Sequence, residues 1–214
     1  MNRLILGVLA TLLLAASTRA QVERVGPSAI EVHDLTMARE TLSALHMLAL
    51  KYHIVIAVYG TRIGVYDARE NQVNISLKQG TLGEVFDTIV RQHPNLRWKQ
   101  ADDGAIHFVL NDPPPSLFDV VVHSFDADNP RRWETLDRLK AIPEVAEWLK
   151  DQECTLDDLM AIVGRPPAEW GKFVVHAKHV PLSAILDEIA SKSGTYFWMA
   201  FQNSISPCEI DVWP

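Results

Sequence analysis

The chain has 214 residues, 48% of them apolar and 22% charged, with a formal charge of −7 and only two cysteines. That acidic balance argues against nucleic acid as a partner, and charges of both signs interspersed without a long acidic tail read as plain solubility. No apolar run after Gln21 reaches the ~20 residues a spanning helix needs, so no stable membrane insertion is expected once a leader is removed.

The first segment has the layout of a secretory leader: Arg3, an apolar run from Leu4 to Ala16, and the short-residue exit Thr18-Arg19-Ala20. Cleavage is expected after Ala20, which leaves residues 1–20 as signal peptide and a mature chain starting near Gln21. The expected destination is the periplasm of a Gram-negative source, or the medium. The leader removes Arg3 and Arg19 and no acid, so the mature chain is more acidic still.

Ile30 to His33 alternates as a short strand, and Asp34 or Thr36 then caps a helix to about His53, with Leu35, Ala38, Leu42, Leu45, Ala49 and Tyr52 at helical spacing. Ile54 to Tyr59 reads as a buried strand ended by Gly60, followed by a loop to Gln72 with an extended piece at Ile63 to Tyr66. Val73 to Leu77 alternates as a strand. Thr81, with Glu84 three residues on, spells a capping box for a helix that stops by Pro94. Leu96 to Lys99 and Ala105 to Leu110 make a hairpin about Asp102-Asp103-Gly104. Asp112 to Pro115 is stiff and extended.

Phe118 to Phe125 reads as the next strand, and Asp128-Asn129-Pro130 as a helix entry with Asn129 as cap. Helices are expected over Pro143 to Gln152 and Thr155 to Val163, and a loop over Gly164 to Gly171. Phe173 to His179 is a strand, Leu182 to Ser191 a helix closed by Gly194, and Tyr196 to Phe201 with Cys208 to Trp213 a final hairpin.

Val73 to Gln100 and Phe173 to Ala200 read as one module written twice. Lys78 falls on Lys178, Leu82 on Leu182, Asp87 on Asp187, Ile89 on Ile189 and Trp98 on Trp198. The expected fold is therefore α+β, with two tandem small modules, each of two main helices packed on short mixed β-sheets. The modules span 21–112 and 118–214, joined by a Pro-rich linker at 113–117, and the second is divergent.

The stretch from Asp34 to Leu110 resembles the short N-terminal domain shared by secretins and TonB-dependent receptors. The resemblance is carried by the Leu-rich helix turn before Ile54-Val55-Ile56, by Val73 to Leu77, by Gly80-Thr81-Leu82-Gly83-Glu84-Val85-Phe86-Asp87-Thr88-Ile89, and by Leu96-Arg97-Trp98 with Ile106 to Val109. It implies a small module that docks onto periplasmic proteins without catalysis or cofactor, with an envelope protein as partner. Tyr52-His53 stands where the family commonly has a Gly, and no secretin pore or outer-membrane barrel follows. The expected role is thus an accessory, adaptor or signalling part acting in trans, with self-association also open.

Candidate chemistry is sparse. His176 and His179 have metal-like spacing, but residues three apart on a strand point to opposite faces. His123, Asp126 and Asp128, with His176, form a weak alternative cleft for a small ligand or a metal-dependent enzyme; the rival account of the acids is a helix N-terminus. Ser43 and His46 lie on adjacent helical turns, without the Gly-x-Ser-x-Gly elbow of a hydrolase. Trp98 and Trp198 match in the repeat and are expected in the core, whereas Trp170 and Trp213 are the candidates for a partner surface. Exposed strand edges are a second route to a partner. Cys154 and Cys208 form either a disulfide, in an oxidising compartment, or two buried thiols.

Overall fold

The computed structural model describes residues 26–62, 72–110, 116–128, 130, 132–158, 172–203 and 208–213. The expected leader, the piece at Ile63 to Tyr66, Asn129, Pro113 to Pro115 and Trp170 lie outside the described residues. Within them, alternation of buried and exposed side chains sets the first element. Val32, Leu35 and Met37 point inward along β1 (Glu31–Glu40), which pairs antiparallel with β3 (Gln72–Thr81) from Glu31↔Thr81 to Glu40↔Gln72. The helix expected from Asp34 or Thr36 therefore begins only at Thr41, as α1 (Thr41–Tyr52). Leu35 and Ala38 fit a helical period, but Leu35 and Met37 also fit a period of two, and the cross-strand ladder to β3 decides between them. Asp34, placed as a cap, instead takes a left-handed backbone inside the strand, with φ 48°.

α1 ends with His53 in the left-handed region, φ 51°, at the position where a Gly is usual. β2 (Ile56–Arg62) continues through Gly60 rather than stopping there. Gly60 lies against Leu110 of β5 (Ile106–Leu110), where a Cβ would sit 1.8 Å from the Leu110 carbonyl oxygen, so only a glycine lets the two strands pair at that point. α2 (Leu82–Gln92) opens with the expected capping box between Thr81 and Glu84. β4 (Leu96–Gln100) and β5 (Ile106–Leu110) form the expected antiparallel hairpin.

After the proline run, Leu117 and Phe118 are buried in a short 3-10 turn, and the next strand, β6 (Val121–Asp128), starts later than expected. Its inward residues Val122, Phe125 and Ala127 have the spacing of Val32, Leu35 and Met37 in β1. α3 (Arg132–Lys140) and α4 (Pro143–Asp151) follow. Of the helix expected over Thr155 to Val163, the described part, Thr155 to Asp158, is not helical, and residues 159–163 lie outside the described residues. Cys154–Asp158 is instead a strand, β7, held parallel to the last strand by the register Cys154↔Cys208 to Asp158↔Val212. β8 (Val174–Pro181) pairs antiparallel with β6, and α5 (Leu182–Ser193) is closed by Gly194 at φ 79°. β9 (Phe197–Asn203) and β10 (Cys208–Trp213) make the closing hairpin.

The architecture is α+β with mixed sheets. Two antiparallel ribbons, β1-β3 and β6-β8, flank a six-stranded sheet of order β4-β5-β2-β9-β10-β7. The central sheet is continuous, because β2 pairs in parallel with β9 from Ile56↔Phe197 to Arg62↔Asn203. Period-two alternation then gives it two cores. Ile56, Val58, Ile106, Phe108, Phe197 and Met199 join Leu45, Leu48, Phe86 and Ile89 of α1 and α2 on one face. Ala57, Tyr59, Val109, Trp198, Ala200 and Ile210 join Leu139, Val145, Ile185 and Ile189 of α3, α4 and α5 on the other. Each fully buried aliphatic or aromatic side chain in these layers contributes about 1.5–3 kcal/mol against exposure. Among the described residues no helix is long and apolar enough to cross a membrane.

Candidate functional site: a buried polar junction and two open sheet edges

The parallel contact of β2 with β9 brings together polar side chains far apart in sequence. Ile106 and Phe108 face the α1/α2 core, so His107 between them must face the other way, where Tyr59 and Trp198 also point. α5 buries Leu182, Ile185, Leu186 and Ile189 on the same side and carries Asp187 with them. The Trp198 Nε1–H donates to Asp187 Oδ1 over 2.7 Å, and His107 Nε2 lies 2.8 Å from Asp187 Oδ2. On the far side of the imidazole, Nδ1 lies 3.2 Å from the Tyr59 hydroxyl. With the ring proton on Nε2, His107 donates to the carboxylate and its Nδ1 accepts from Tyr59. The Tyr59 ring stacks on Trp198 with centroids 5.4 Å apart.

Burial governs the electrostatics. It pushes the Asp187 carboxyl above its ordinary value, and the hydrogen bond and charge of His107 pull partly against that. Burial, then the nearby Asp119 and Asp187, push the Tyr59 hydroxyl up to about 12, so Tyr59 keeps its proton. A hydroxyl, an imidazole and a carboxylate in line have the order of a nucleophilic relay. Here they are sealed: Tyr59 is 4% exposed, His107 3%, Asp187 2% and Trp198 0%. The network ties β2 and β5 to α5 and β9, and so fixes how the two halves of the sheet meet. A similar bond recurs outside, where Trp98 Nε1 donates to Asp87 Oδ1 over 2.9 Å on exposed α2 surface.

Only part of this network is legible in the sequence. Asp187 and Trp198 stand out through their match to Asp87 and Trp98, but Tyr59 and His107 were not singled out. The available signal was a lone imidazole inside the apolar run Ile106-His107-Phe108-Val109, which marks a buried polar group needing a partner.

Of the weak alternative cleft, Asp126 and His176 do meet, across the β6·β8 register, with Oδ1 and Nδ1 2.6 Å apart. His123 turns instead to His179, ring edge to ring face with centroids 4.5 Å apart, and Asp128 sits in the ladder opposite Val174. The Asp126–His176 pair is open to solvent, at 66% and 69% side-chain exposure. Among the described residues no group of three or more His, Cys, Asp or Glu side chains is arranged to hold a metal ion. His46 stacks on Phe197 with centroids 5.0 Å apart, and burial lowers its pKa. The backbone of Trp213, at the end of β10, pairs with Met199 of β9, while its side chain, like all of Trp170, lies outside the described residues. Cys154 and Cys208 face each other in the parallel ladder and are joined as a disulfide.

The remaining chemistry lies at the two ends of the central sheet. β4 closes one end and β7 the other, and no strand among the described residues pairs with the outer edge of either. Such an edge presents backbone donors and acceptors in the geometry of a further strand. β4 reads Leu-Arg-Trp-Lys-Gln with Arg97, Lys99 and Gln100 exposed, and β7 reads Cys-Thr-Leu-Asp-Asp. The exposed Arg97 and Lys99 make the β4 edge basic, and on β7 Asp157 pairs with Lys140 at 3.5 Å.

Comparison with known proteins gives no match: no protein-family model, no curated protein and no solved structure matches the chain.

Proposed function

We propose that this chain is a non-catalytic, exported protein-interaction or adaptor part, built from two related modules of the secretin and TonB N-terminal type and accessory to an envelope transport or secretion system. The order strand, helix, strand, strand, helix, strand, strand recurs from β1 to β5 and from β6 to β10, with the first helix doubled in the second run, and this supports the duplication. So do the equivalent Trp98–Asp87 and Trp198–Asp187 bonds, and the matching backbone bonds from Leu82 N to Ile30 O and from Leu182 N to Val120 O, both 2.9 Å.

The observation that carries the functional reading is the pair of sheet edges that no strand among the described residues covers, one of them basic, on a sheet whose relay-like constellation is sealed from solvent. Association through an edge needs no covalent step. The test is affinity capture by the mature chain, from Gln21, in envelope extract of its own source. The expected result is a stoichiometric protein partner whose retention falls with Arg97→Glu and Lys99→Glu on β4. Retention of a metal or small molecule and no protein would replace this reading with a ligand binder or metal-dependent enzyme built on His123, Asp126, Asp128 and His176.

A further inference from the structure

The two antiparallel ribbons can be compared place by place. Glu31 to Ala38 of β1 and Val121 to Asp128 of β6 bury and expose their side chains in the same order, and β3 and β8 each run straight into a helix. In the β1-β3 ribbon, His33 stands opposite Gln79. At the same place in the β6-β8 ribbon, between the pairs Val122↔Val180 and Ser124↔Lys178, His123 meets His179. A ribbon of this kind therefore needs no second imidazole there, since a Gln serves in the first one.

The His123 and His179 rings lie with centroids 4.5 Å apart and planes at 89°, and both residues are exposed. Neither imidazole takes a hydrogen bond or an ion pair among the described residues, whereas His33 reaches Glu31, His93 reaches Thr41, His107 reaches Asp187 and His176 reaches Asp126. His179 also holds a left-handed backbone, φ 52°, inside β8, which Gln79 does not. Backbone in that sparsely populated region gathers at sites where a side chain must be placed for a task. A carboxylate stands close by: Glu144, in the first turn of α4, accepts at Oε1 from the His123 backbone N–H over 3.1 Å.

Two adjacent imidazoles with no other partner have the makings of a chelating pair. Imidazole nitrogens bind such an ion at about 2.0–2.1 Å, so two rings set at right angles on one ion have centroids about 4.5 Å apart. The rings of His123 and His179 already stand at that spacing, and rotation about the side-chain bonds of two exposed residues turns one nitrogen of each to a common point. The net charge of −7 draws cations to the chain. Imidazole suits nickel, copper and zinc, whereas magnesium and calcium take oxygen ligands.

We infer that His123 and His179 together bind one divalent ion of the nickel, copper or zinc class, with a nitrogen from each ring, water completing the shell, and the Glu144 carboxylate beside them adding negative charge. The ion clips β6 to β8. This site goes beyond the interaction reading and does not depend on it, since it involves no catalysis and leaves a protein partner free to bind as well.

Titration of the mature chain with Ni²⁺ at neutral pH tests this, followed by calorimetry and by paramagnetic broadening of nuclear magnetic resonance signals. The expected result is one ion per chain, broadening centred on His123 and His179, and a melting temperature that rises with Ni²⁺ concentration. His179→Gln, which installs the residue of the first ribbon, is expected to weaken binding by ~10-fold or more, because losing a group that merely orients a ligand already costs ~10–100-fold. His123→Gln is expected to do the same, and unchanged melting of both variants without metal shows that the fold is intact. His176→Gln, which removes the other exposed imidazole of this ribbon, is expected to leave binding as it is. Absence of saturable binding, binding that survives either His123→Gln or His179→Gln, or broadening centred on His176 and Asp126 overturns the inference. Capture of an envelope protein is a separate measurement, so its failure would sink the interaction reading and leave this site standing.

Discussion

His107 and Asp187, 80 residues apart in sequence, meet at 2.8 Å in the interior with side chains only 4% and 3% exposed. A buried carboxylate with two donors is satisfied, and removing it orphans both. Asp187→Ala would leave the Trp198 N–H and the His107 N–H without an acceptor, at an expected cost of about 3–5 kcal/mol. The same truncation at exposed Asp87, which accepts from Trp98, should cost about 0.5–1.5 kcal/mol. Urea unfolding of the two variants checks the pair of values. Equal losses would show that the buried bond adds nothing over its surface counterpart.

Burial also predicts a dependence on pH through His46. Its ring, stacked on Phe197, has its pKa lowered from 6.5 by desolvation alone, so the unfolded chain takes up the proton more readily than the folded one. A depressed folded pKa gives stability that is fully present above 6.5 and is lost as pH falls through the folded value. The unfolding midpoint should therefore drop as pH is lowered from neutral to about 5. His46→Phe, which keeps an aromatic ring over Phe197, should flatten that part of the profile. An unchanged slope in the variant would assign the effect elsewhere, for instance to His93, whose pKa burial also lowers.

Local chemistry was legible where one residue type decides it. The Thr81–Glu84 capping box, the Asp102-Asp103-Gly104 hairpin and the Gly194 stop are all in place. Elements decided by long-range pairing were not. Leu35 to Glu40 reads as a helix until β3 is set beside it, and Thr155 to Asp158 does so until Cys154 is placed against Cys208. The β2·β9 pairing joins segments more than a hundred residues apart in the register Ile56↔Phe197, and no local pattern specifies that choice or the His107–Asp187 bond, 80 residues apart, that accompanies it. The repeat pointed to two small sheets, and the continuous central sheet follows from an edge pairing that the repeat alone does not encode.

Gly60 gives a sharp test of that sheet. A methyl group there would fall 1.8 Å from the Leu110 carbonyl oxygen, against backbone that cannot rotate away as a side chain would. Gly60→Ala should force β2 and β5 apart and cost about 1–3 kcal/mol, at the upper end if the strands cannot shift. Because Tyr59 and His107 sit on these two strands, the loss should be accompanied by a changed tryptophan emission from Trp198, which stacks on Tyr59. Thermal unfolding followed by fluorescence measures both. A variant with unaltered melting and emission would mean that the close approach at Gly60 is not needed for pairing.

The Cys154–Cys208 bond spans 54 residues and ties β7, the last strand of the sheet, to β10. Closing a loop of that length removes freedom from the unfolded chain worth about 4 kcal/mol on the chain-entropy model. Reduction, or Cys154→Ser with Cys208→Ser, should lower stability by about that amount, with the protection of β7 amides against hydrogen exchange lost first. The order of loss is the informative part. Among the described residues β7 has a strand on only one side, whereas β2 and β9 each have strands on both, so the bond guards the edge more than the centre. If exchange rose uniformly across β2, β9 and β7 on reduction, the disulfide would be acting on the whole fold at once, and the edge strand would have no separate stability of its own.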